Sequence, residues 1–274
     1  MEENRKVNFD EFLELNPVFR LEEYAEAQGK AQDLGVVRNQ IKYYVRLKRL
    51  KRVGPSVYVG VPHGQDAETF WPDPVLVAVC MQPTGIFSHH TALELLGARH
   101  SLWKECTLFC DHPPLPIDLG LQRIQFLAHP VALTKVDDAE LGVRQGERKG
   151  RSIKFTGPER TLVDGFRQLR WVGGPEELVS GASGFGSLDL ALLEKILGVY
   201  DQSNLWASVG WFLEQFQKRF YVSESYLNKW VEKCPKRPRY LVRSSRGGTL
   251  NKRWNLIIPD HLLNWEGQRA GAKF

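Results

Sequence analysis

Three helical patterns and a β-hairpin signal follow one another within the first sixty residues, and this succession constrains the fold most strongly. Asn16-Pro17 ends the first pattern, Gly29 ends the second, and Gly35 precedes the third. A Gly54-Pro55-Ser56 turn then lies between two short alternating segments. The predicted elements are helices over 9–15, 21–28 and 37–50, and a hairpin over 51–61.

Three helices followed by a hairpin is the winged-helix arrangement. The remainder of the chain mixes strand-like and helical patterns, so the predicted fold class is α+β, with an N-terminal winged helix-turn-helix and a larger mixed α/β C-terminal domain that ends in a helical region. One departure is the connection over 29–36, which is longer than the 3–4 residues expected between the helices of a helix-turn-helix.

The predicted domains are a winged helix over 1–62, a linker over 63–74 that contains Trp71-Pro-Asp-Pro74, and a C-terminal domain over 75–274. The last is mixed α/β to about residue 157 and mainly helical from residue 158. The apolar segment Val75–Cys80 fits a buried strand or the start of a helix, and Gly142–Gly150 is typical of a loop or hairpin tip.

The charges are segregated along the chain, which the net charge of +5 conceals. Residues 34–65 contain seven basic and no acidic side chains, and residues 233–259 contain eight basic and none acidic. Elsewhere 22 basic residues stand against 32 acidic ones, a net charge of −10. The sequence therefore predicts an acidic body with two strongly basic segments.

The first basic segment coincides with the third helix and the hairpin. At ~100° per residue, its cationic side chains lie opposite the apolar face of Val37 and Ile41. Arginine and lysine can contact guanine or phosphate, and asparagine can pair with adenine, in a major groove that admits one helix. The predicted DNA-contacting residues are Arg38, Asn39, Lys42, Arg46 and Arg49 on the helix, with Lys51, Arg52 and Ser56 on the wing. The alternative is a solvated basic face.

Four segments, in order, resemble the AbiEi family of antitoxins. The head resembles it over Val18–Glu23, Val45–Val53 and Val57–Val59, and Gly85–Gly97 resembles the family's Thr-Ala-Leu helix. Pro158–Gly165 with Gly173-Gly174 resembles its central signature, and Lys252–Pro259 its closing motif. The resemblance implies a type IV antitoxin that represses its own operon through inverted repeats. It also implies a nucleotidyltransferase toxin as functional antagonist, without a stable complex.

Several clusters have the residue types of catalytic or metal sites. Ser88-His89-His90 is interpreted as a helix cap with half-exposed histidines, because neighbours on a helix point about 100° apart. Cys106, Cys110 and His112 would span about 20 Å on a strand, too far for one metal ion, so core cysteines are favoured. The glycine-rich stretch over 181–186 lacks the Lys-Ser/Thr of a phosphate loop and is interpreted as a loop between helices.

Two further sets of residues have open roles. Glu159, Arg160 and Asp164 begin a predicted helix in which Arg160 and Asp164 can pair at i, i+4. The second basic segment could track a nucleic-acid backbone, face an acidic partner or be plain solvated surface. The candidate surface that opposes the toxin comprises Glu159, Arg160, Asp164, Arg239, Arg243, Arg246 and Arg253.

The function predicted from the sequence is a type IV antitoxin and transcriptional autorepressor whose partners are double-stranded operator DNA and a toxin. It is not expected to be an enzyme or to need a cofactor or metal. No secretory signal or membrane-length apolar run is visible, and four cysteines do not make a disulfide scaffold, so a cytoplasmic location is expected. The alternatives are a winged-helix regulator without a toxin and a nucleic-acid-processing or nucleotide-dependent enzyme.

Overall fold

A computed structural model describes residues 8–243 and 247–263 of the chain. Within these ranges the protein is a mixed α+β structure of twelve α-helices and three β-sheets, which confirms the predicted fold class. None of the helices in these ranges is long and apolar enough to cross a membrane.

Helices and short strands alternate along much of the chain. The first half contains α1 (Phe9–Leu15), β1 (Val18–Arg20), α2 (Leu21–Ala27), α3 (Leu34–Arg46), β2 (Leu50–Gly54), β3 (Val57–Gly60), α4 (Pro74–Met81), β4 (Ile86–Phe87), α5 (His89–Leu95), β5 (Glu105–Cys110), β6 (Ile117–Asp118) and β7 (Arg123–Ala128). The second half contains α6 (Val131–Lys135), β8 (Val143–Arg148), β9 (Arg151–Thr156), α7 (Pro158–Arg167), α8 (Pro175–Ser183), α9 (Leu190–Tyr200), α10 (Ser203–Gln215), α11 (Glu224–Val231), β10 (Arg239–Tyr240), β11 (Thr249–Asn251), β12 (Leu256–Ile258) and α12 (Asp260–Leu263).

The N-terminal elements form a winged helix. Helices α1, α2 and α3 are followed by the β2–β3 hairpin, as the sequence predicts. Strand β1 was not predicted, because three residues are too few to show an alternating pattern. It pairs antiparallel with β3, giving a sheet of order β1-β3-β2. The hairpin is thereby anchored to the chain segment between α1 and α2.

Helix α3 begins and ends earlier than the predicted range of 37–50. It begins at Leu34 because the Asp33 side chain accepts a hydrogen bond from the backbone N–H of Val36 at 3.3 Å. It ends at Arg46 because Lys48 adopts a left-handed backbone conformation with φ of 56°, and Leu50 already belongs to β2. The prediction of Arg49 as a helical residue is therefore wrong.

Aromatic side chains dominate the core of the winged helix. Phe12 packs edge-on against Phe19 and Tyr24, with ring centroids 5.0 and 4.9 Å apart. Val37 and Ile41 bring the inner face of α3 to this core and are almost completely buried. Burial of this face fixes which side of α3 is turned to solvent.

The chain forms two compact units whose boundaries differ from the predicted domain boundaries. The first comprises residues 8–87 together with 104–128 and 145–155. It joins the winged helix to α4 and most of a six-stranded sheet of order β6-β7-β5-β4-β9-β8. Segment Val75–Cys80, which fitted a strand or a helix, lies in α4, whose N-terminus has Asp73 as cap and Pro74 in the first turn. The loop or hairpin tip predicted over 142–150 is mostly strand β8, Val143–Arg148, and the turn to β9 comprises Lys149 and Gly150.

The second unit comprises 88–103, 129–144 and the described residues from 156 onward. It is mainly helical, as predicted for the chain after residue 158, with a small sheet of order β10-β12-β11. Its core contains the buried indoles of Trp211, Trp230 and Trp254. The N-termini of α11 and α9 are capped by the side chains of Ser223 and Asp189.

Candidate nucleic-acid interface

The outer face of α3 carries four of the predicted DNA-contacting side chains in exposed positions. Arg38, Asn39, Lys42 and Arg46 are all exposed, opposite the buried Val37 and Ile41. None of the four is paired with another side chain among the described residues. At 1.5 Å per residue, Arg38 and Arg46 are about 12 Å apart along the helix, which matches the span of a few base pairs.

Arg49 has a different environment from the one predicted. It lies in the turn between α3 and β2, forms an ion pair with Asp10, and places its guanidinium 5.2 Å from the Phe9 ring centroid and 5.8 Å from that of Tyr44. Phe9 and Tyr44 are themselves stacked, with ring centroids 3.5 Å apart. These contacts give Arg49 a role in holding α1 against α3.

The wing residues are partly engaged with the protein. The Lys51 ammonium donates to the carbonyl oxygen of Phe70 at 3.3 Å and lies 5.5 Å from the Trp71 ring centroid. Arg52 is exposed, and within the described part of the chain its side chain makes only a local hydrogen bond, from Nε to the carbonyl oxygen of Gly54 at 3.2 Å. Ser56 is half-buried and has a positive φ of 55° at the hairpin turn. Arg52 is therefore the wing side chain best placed for a phosphate contact.

Two exposed residues beside this face were not selected from the sequence. Tyr43 is 58% exposed on α3, and Lys48 follows the helix with its ammonium 4.0 Å from a Glu68 carboxylate oxygen. The sequence signal that could have identified Tyr43 is its position beside Lys42 on the polar side of an amphipathic helix. Gln40, in contrast, donates from Nε2 to the Tyr24 hydroxyl at 2.9 Å, so its amide is held against α2.

Glu159, Arg160 and Asp164 do not form a surface in this structure. They lie on α7 with at most 3% of each side chain exposed. The predicted pair is present, with Arg160 Nε 3.3 Å from an Asp164 carboxylate oxygen, and Arg167 Nε lies 3.3 Å from the other oxygen. Burial alone would raise the pKa of Asp164, but Arg160 and Arg167 hold it below its ordinary value.

Further contacts complete the network around α7. The Tyr200 hydroxyl donates to Asp164, and the Arg160 guanidinium donates to the carbonyl oxygen of Leu141 at 3.1 Å. Glu159 accepts a hydrogen bond from the backbone N–H of Asp189 at 2.8 Å, which joins α7 to the start of α9. The residues of this cluster therefore hold the second unit together, and their assignment to a toxin-facing surface is not supported by their burial.

The arginines of the second basic segment are in three different situations. Arg253 is partly buried and pairs with Glu214 at 2.7 Å and with Glu224 at 2.6 Å. Arg239 and Arg243 are exposed and form no ion pair with any described residue. Arg246 lies outside the described residues. Of the four candidate arginines in this segment, Arg239 and Arg243 are therefore exposed and without an ion pair among the described residues.

The interpretation of Ser88-His89-His90 as a cap with half-exposed histidines is wrong. Ser88 makes no side-chain capping bond, both histidines are buried, and Ser88 Oγ lies 2.9 Å from His89 Nδ1. The two can meet because His89 has a positive φ of 53°, so the helical angle of about 100° does not separate them. Burial lowers the pKa of His89 to about 4.

His90 is held by an acidic partner. Its Nε2 lies 3.3 Å from a Glu177 oxygen, which also accepts hydrogen bonds from the backbone N–H groups of His100 and Ser101 at 2.8 and 3.1 Å. These contacts lock the segment after α5 onto α8. Ser88, His89 and His90 are therefore parts of a buried structural network.

The other two clusters also serve the fold. Cys106 and Cys110 are buried cysteines of β5 that form no disulfide, as the favoured interpretation predicts. The glycine-rich stretch over 181–186 begins inside α8 rather than forming only a loop. A side chain at Gly181 would come within 2.7 Å of the carbonyl oxygen of Ala98, so glycine permits close packing there.

A solved structure shares this fold. The crystal structure of the RV2827C protein from Mycobacterium tuberculosis aligns with 90% of this chain and 88% of that chain, with a TM-score of 0.60 and 14% sequence identity. At this identity the likeness concerns the fold alone. No protein-family model matches the sequence, and no curated protein matches it.

Proposed function

We propose that this protein is a cytoplasmic, DNA-binding transcriptional autorepressor and a type IV antitoxin. Its winged helix binds inverted-repeat operator DNA, and the protein counteracts a nucleotidyltransferase toxin without a stable complex. The observation that carries the DNA-binding part is the unpaired cationic face of α3, formed by Arg38, Lys42 and Arg46. The antitoxin part is supported by the four ordered segments that resemble the AbiEi family.

The chemistry of the α3 face suits duplex DNA. Three cations along one helix face displace condensed counterions from the phosphate backbone, which favours binding at low salt. Arg38 and Arg46 can donate two hydrogen bonds to guanine, and Asn39 can form two with adenine. Because Arg52 on the wing is also exposed, a phosphate contact beside the groove is available.

The experiment is a retardation assay with DNA from upstream of the protein's own gene. We expect Arg38→Ala and Arg46→Ala each to weaken binding by about 5- to 150-fold, because each loses contacts of about 1–3 kcal/mol. Arg123→Ala, an exposed arginine of β7 with the same loss of charge, is the control and should bind like the wild type. Equal binding by all of these variants would contradict the assignment of α3.

A regulator of the same fold without a toxin is the alternative, and co-expression with the neighbouring gene product distinguishes the two. We expect the full-length protein to rescue growth if that product is a nucleotidyltransferase toxin. The Arg38→Ala, Arg46→Ala double variant should retain rescue while losing repression, since its substitutions change only the DNA-contacting face. If the wild-type protein does not rescue growth, the antitoxin function is contradicted and a regulator without a toxin is favoured.

A further inference from the structure

A basic cleft in the second unit brings two arginines of the second basic segment together with arginines that the sequence did not single out. Two adjoining cavities of about 680 and 380 Å³ share Gln202, Asn204 and Arg243 in their walls. The larger is also lined by Arg239 and Tyr240, and the smaller by Arg167 and Arg170. Among the described lining residues Asp201 alone is acidic, so four guanidinium groups stand against one carboxylate.

The guanidinium groups of this cleft are available to different degrees. Arg167 is engaged by the buried Asp164 at 3.3 Å, and Arg170 lies over the Trp171 ring with its guanidinium carbon 4.5 Å from the centroid. Arg239 and Arg243 have no carboxylate partner among the described residues. Like charges gathered in a concave surface create a positive potential that attracts an anion. Planar guanidinium groups match the geometry of phosphate in particular.

Backbone donors lie at the same place. The thirteen-residue helix α10 begins at Ser203, and its cap residue Gln202 makes no side-chain hydrogen bond to the first turn. The first N–H groups of a helix have no acceptor within the helix, and they carry the positive end of the helix dipole. Ser203 and Asn204 belong to this first turn and line the larger cavity. Backbone and side chains thus favour an anion at the same position.

A buried acceptor points to the rest of the ligand. Asn204 Oδ1 is buried and accepts no hydrogen bond from the described residues, although it belongs to a residue that lines both cavities. An acceptor without a donor costs free energy, which a ligand hydroxyl or amino group would recover. Tyr240 is 40% exposed in the larger cavity and offers a ring on which a base can stack.

We propose that this cleft binds a nucleoside phosphate. The phosphate is held by Arg239, Arg243 and the first turn of α10, and a hydroxyl or amino group of the nucleoside donates to Asn204. The same chemistry is offered by a free nucleotide and by a nucleic-acid strand. The site lies wholly in the second unit, so it is independent of DNA binding by α3.

The test is isothermal titration calorimetry on the full-length protein with ADP, adenosine, inorganic phosphate and a 12-nucleotide single-stranded RNA as probes. We expect saturable ADP binding that is weakened about tenfold or more by Arg243→Ala and by Arg239→Ala, because each loses a charge-assisted contact. Asn204→Ala should weaken ADP more than inorganic phosphate. Arg237→Ala, an exposed arginine of the same segment that does not line the cleft, is the matched control.

The probes distinguish the possible sources and the ways in which the proposal can fail. RNA that binds at least about tenfold more tightly than ADP, with the same dependence on Arg243, identifies a strand as the ligand. The proposal is overturned if neither ADP nor RNA binds, if adenosine binds as well as ADP, or if Arg237→Ala weakens binding as much as Arg243→Ala. Operator retardation measured on the same variants should be unchanged, so the two proposals fail separately.

Discussion

At the residue scale, the most consequential side chain is Asp164, which balances two arginines inside the second unit. Its carboxylate lies 3.3 Å from Arg160 Nε and 3.3 Å from Arg167 Nε, and it accepts a hydrogen bond from Tyr200. Removing one partner from a buried ion pair leaves an uncompensated charge, which costs more than the pair contributes. The role of Asp164 is therefore testable as a stability effect.

We expect Asp164→Ala to lower the free energy of unfolding by about 3–5 kcal/mol in urea denaturation. The control is Lys195→Ala, because Lys195 pairs with Asp138 on the surface at 3.7 Å and such pairs contribute less than about 1 kcal/mol. Tyr200→Phe should lie between the two variants. An Asp164→Ala protein as stable as the wild type would contradict the structural role.

A second prediction at this scale concerns pH. The pKa of His89 is about 4 in the folded protein and about 6.5 in the unfolded chain, so the unfolded state binds the proton first. The contribution of neutral His89 to the free energy of unfolding is fully present above about pH 6.5. It is lost as the pH falls toward 4, by up to about 3 kcal/mol.

Urea denaturation between pH 7 and pH 4.5 measures this loss. The variant His89→Gln has no imidazole to protonate at this position and should lose less stability over the same range. Below about pH 4 the protonation of Asp164, whose folded pKa is lowered, adds a further loss in the same direction. An identical pH dependence in wild type and variant would contradict the account.

Sequence spacing predicted part of this network and could not predict the rest. The pair of Arg160 and Asp164 follows from their i, i+4 spacing on a helix. Spacing does not report burial, however, and Tyr200 joins the network from 36 residues away. The contact of Ser88 with His89 depends on a positive φ, which no residue type at that position announces.

At the element scale, helices were predicted more accurately than their ends. Helix α3 was recognised from its amphipathic pattern, but its start depends on the Asp33 cap and its end on the left-handed Lys48. The cap and the left-handed backbone each depend on the geometry of a single residue, which the spacing of apolar residues along the helix does not reveal. Arg49 was predicted to lie on the DNA-contacting face of α3. It lies beyond the end of that helix and forms an ion pair with Asp10.

Two glycines inside helices of the second unit give an element-scale prediction. A Cβ at Gly210 of α10 would lie 2.2 Å from the Trp254 ring, whereas a Cβ at Gly198 of α9 meets nothing within 4 Å. Alanine stabilises a helix interior by up to about 1 kcal/mol relative to glycine, but overpacking a core costs about 1–3 kcal/mol. We therefore expect Gly198→Ala to raise the thermal midpoint and Gly210→Ala to lower it.

The same comparison contains its own control, since both variants add one methyl group to a helix. If the thermal midpoint rises in both variants, the Trp254 ring can move aside for the added methyl group at Gly210, and the predicted overpacking is contradicted. Trp254 Nε1 donates to Glu214 at 2.7 Å, which fixes its ring against this helix.

At the scale of the whole molecule, the winged helix is part of a larger compact unit. Arg151 of β9 donates to both carboxylate oxygens of Glu23 at 2.8 Å and to the carbonyl oxygen of Val18 at 2.6 Å. These contacts join β9 to α2 and β1 across more than 120 residues of sequence. The sequence alone could not show them, because hydrophobic patterns do not report which distant strand meets a helix.

We expect Arg151→Ala to lower the free energy of unfolding of the first unit by about 1–2 kcal/mol, a value reduced for the partial exposure of the pair. Lys149→Ala at the exposed turn between β8 and β9 is the matched control and should change it by less than about 0.5 kcal/mol. A fragment of residues 1–68 that is as stable as the full chain would contradict the inclusion of β9 in this unit.

The central claim, that α3 and the wing bind operator DNA, is tested most directly by the salt dependence of binding. The described structure offers five exposed cations near this face: Arg38, Lys42, Arg46, Lys48 and Arg52. If each of the five displaces one condensed counterion from the DNA, the logarithm of the association constant should fall with the logarithm of salt concentration with a slope near −4.5, and near −3.6 for Arg46→Ala. Operator DNA should bind at least about 1000-fold more tightly than scrambled DNA of the same length. A slope near zero, or equal affinity for both DNAs, would contradict the account.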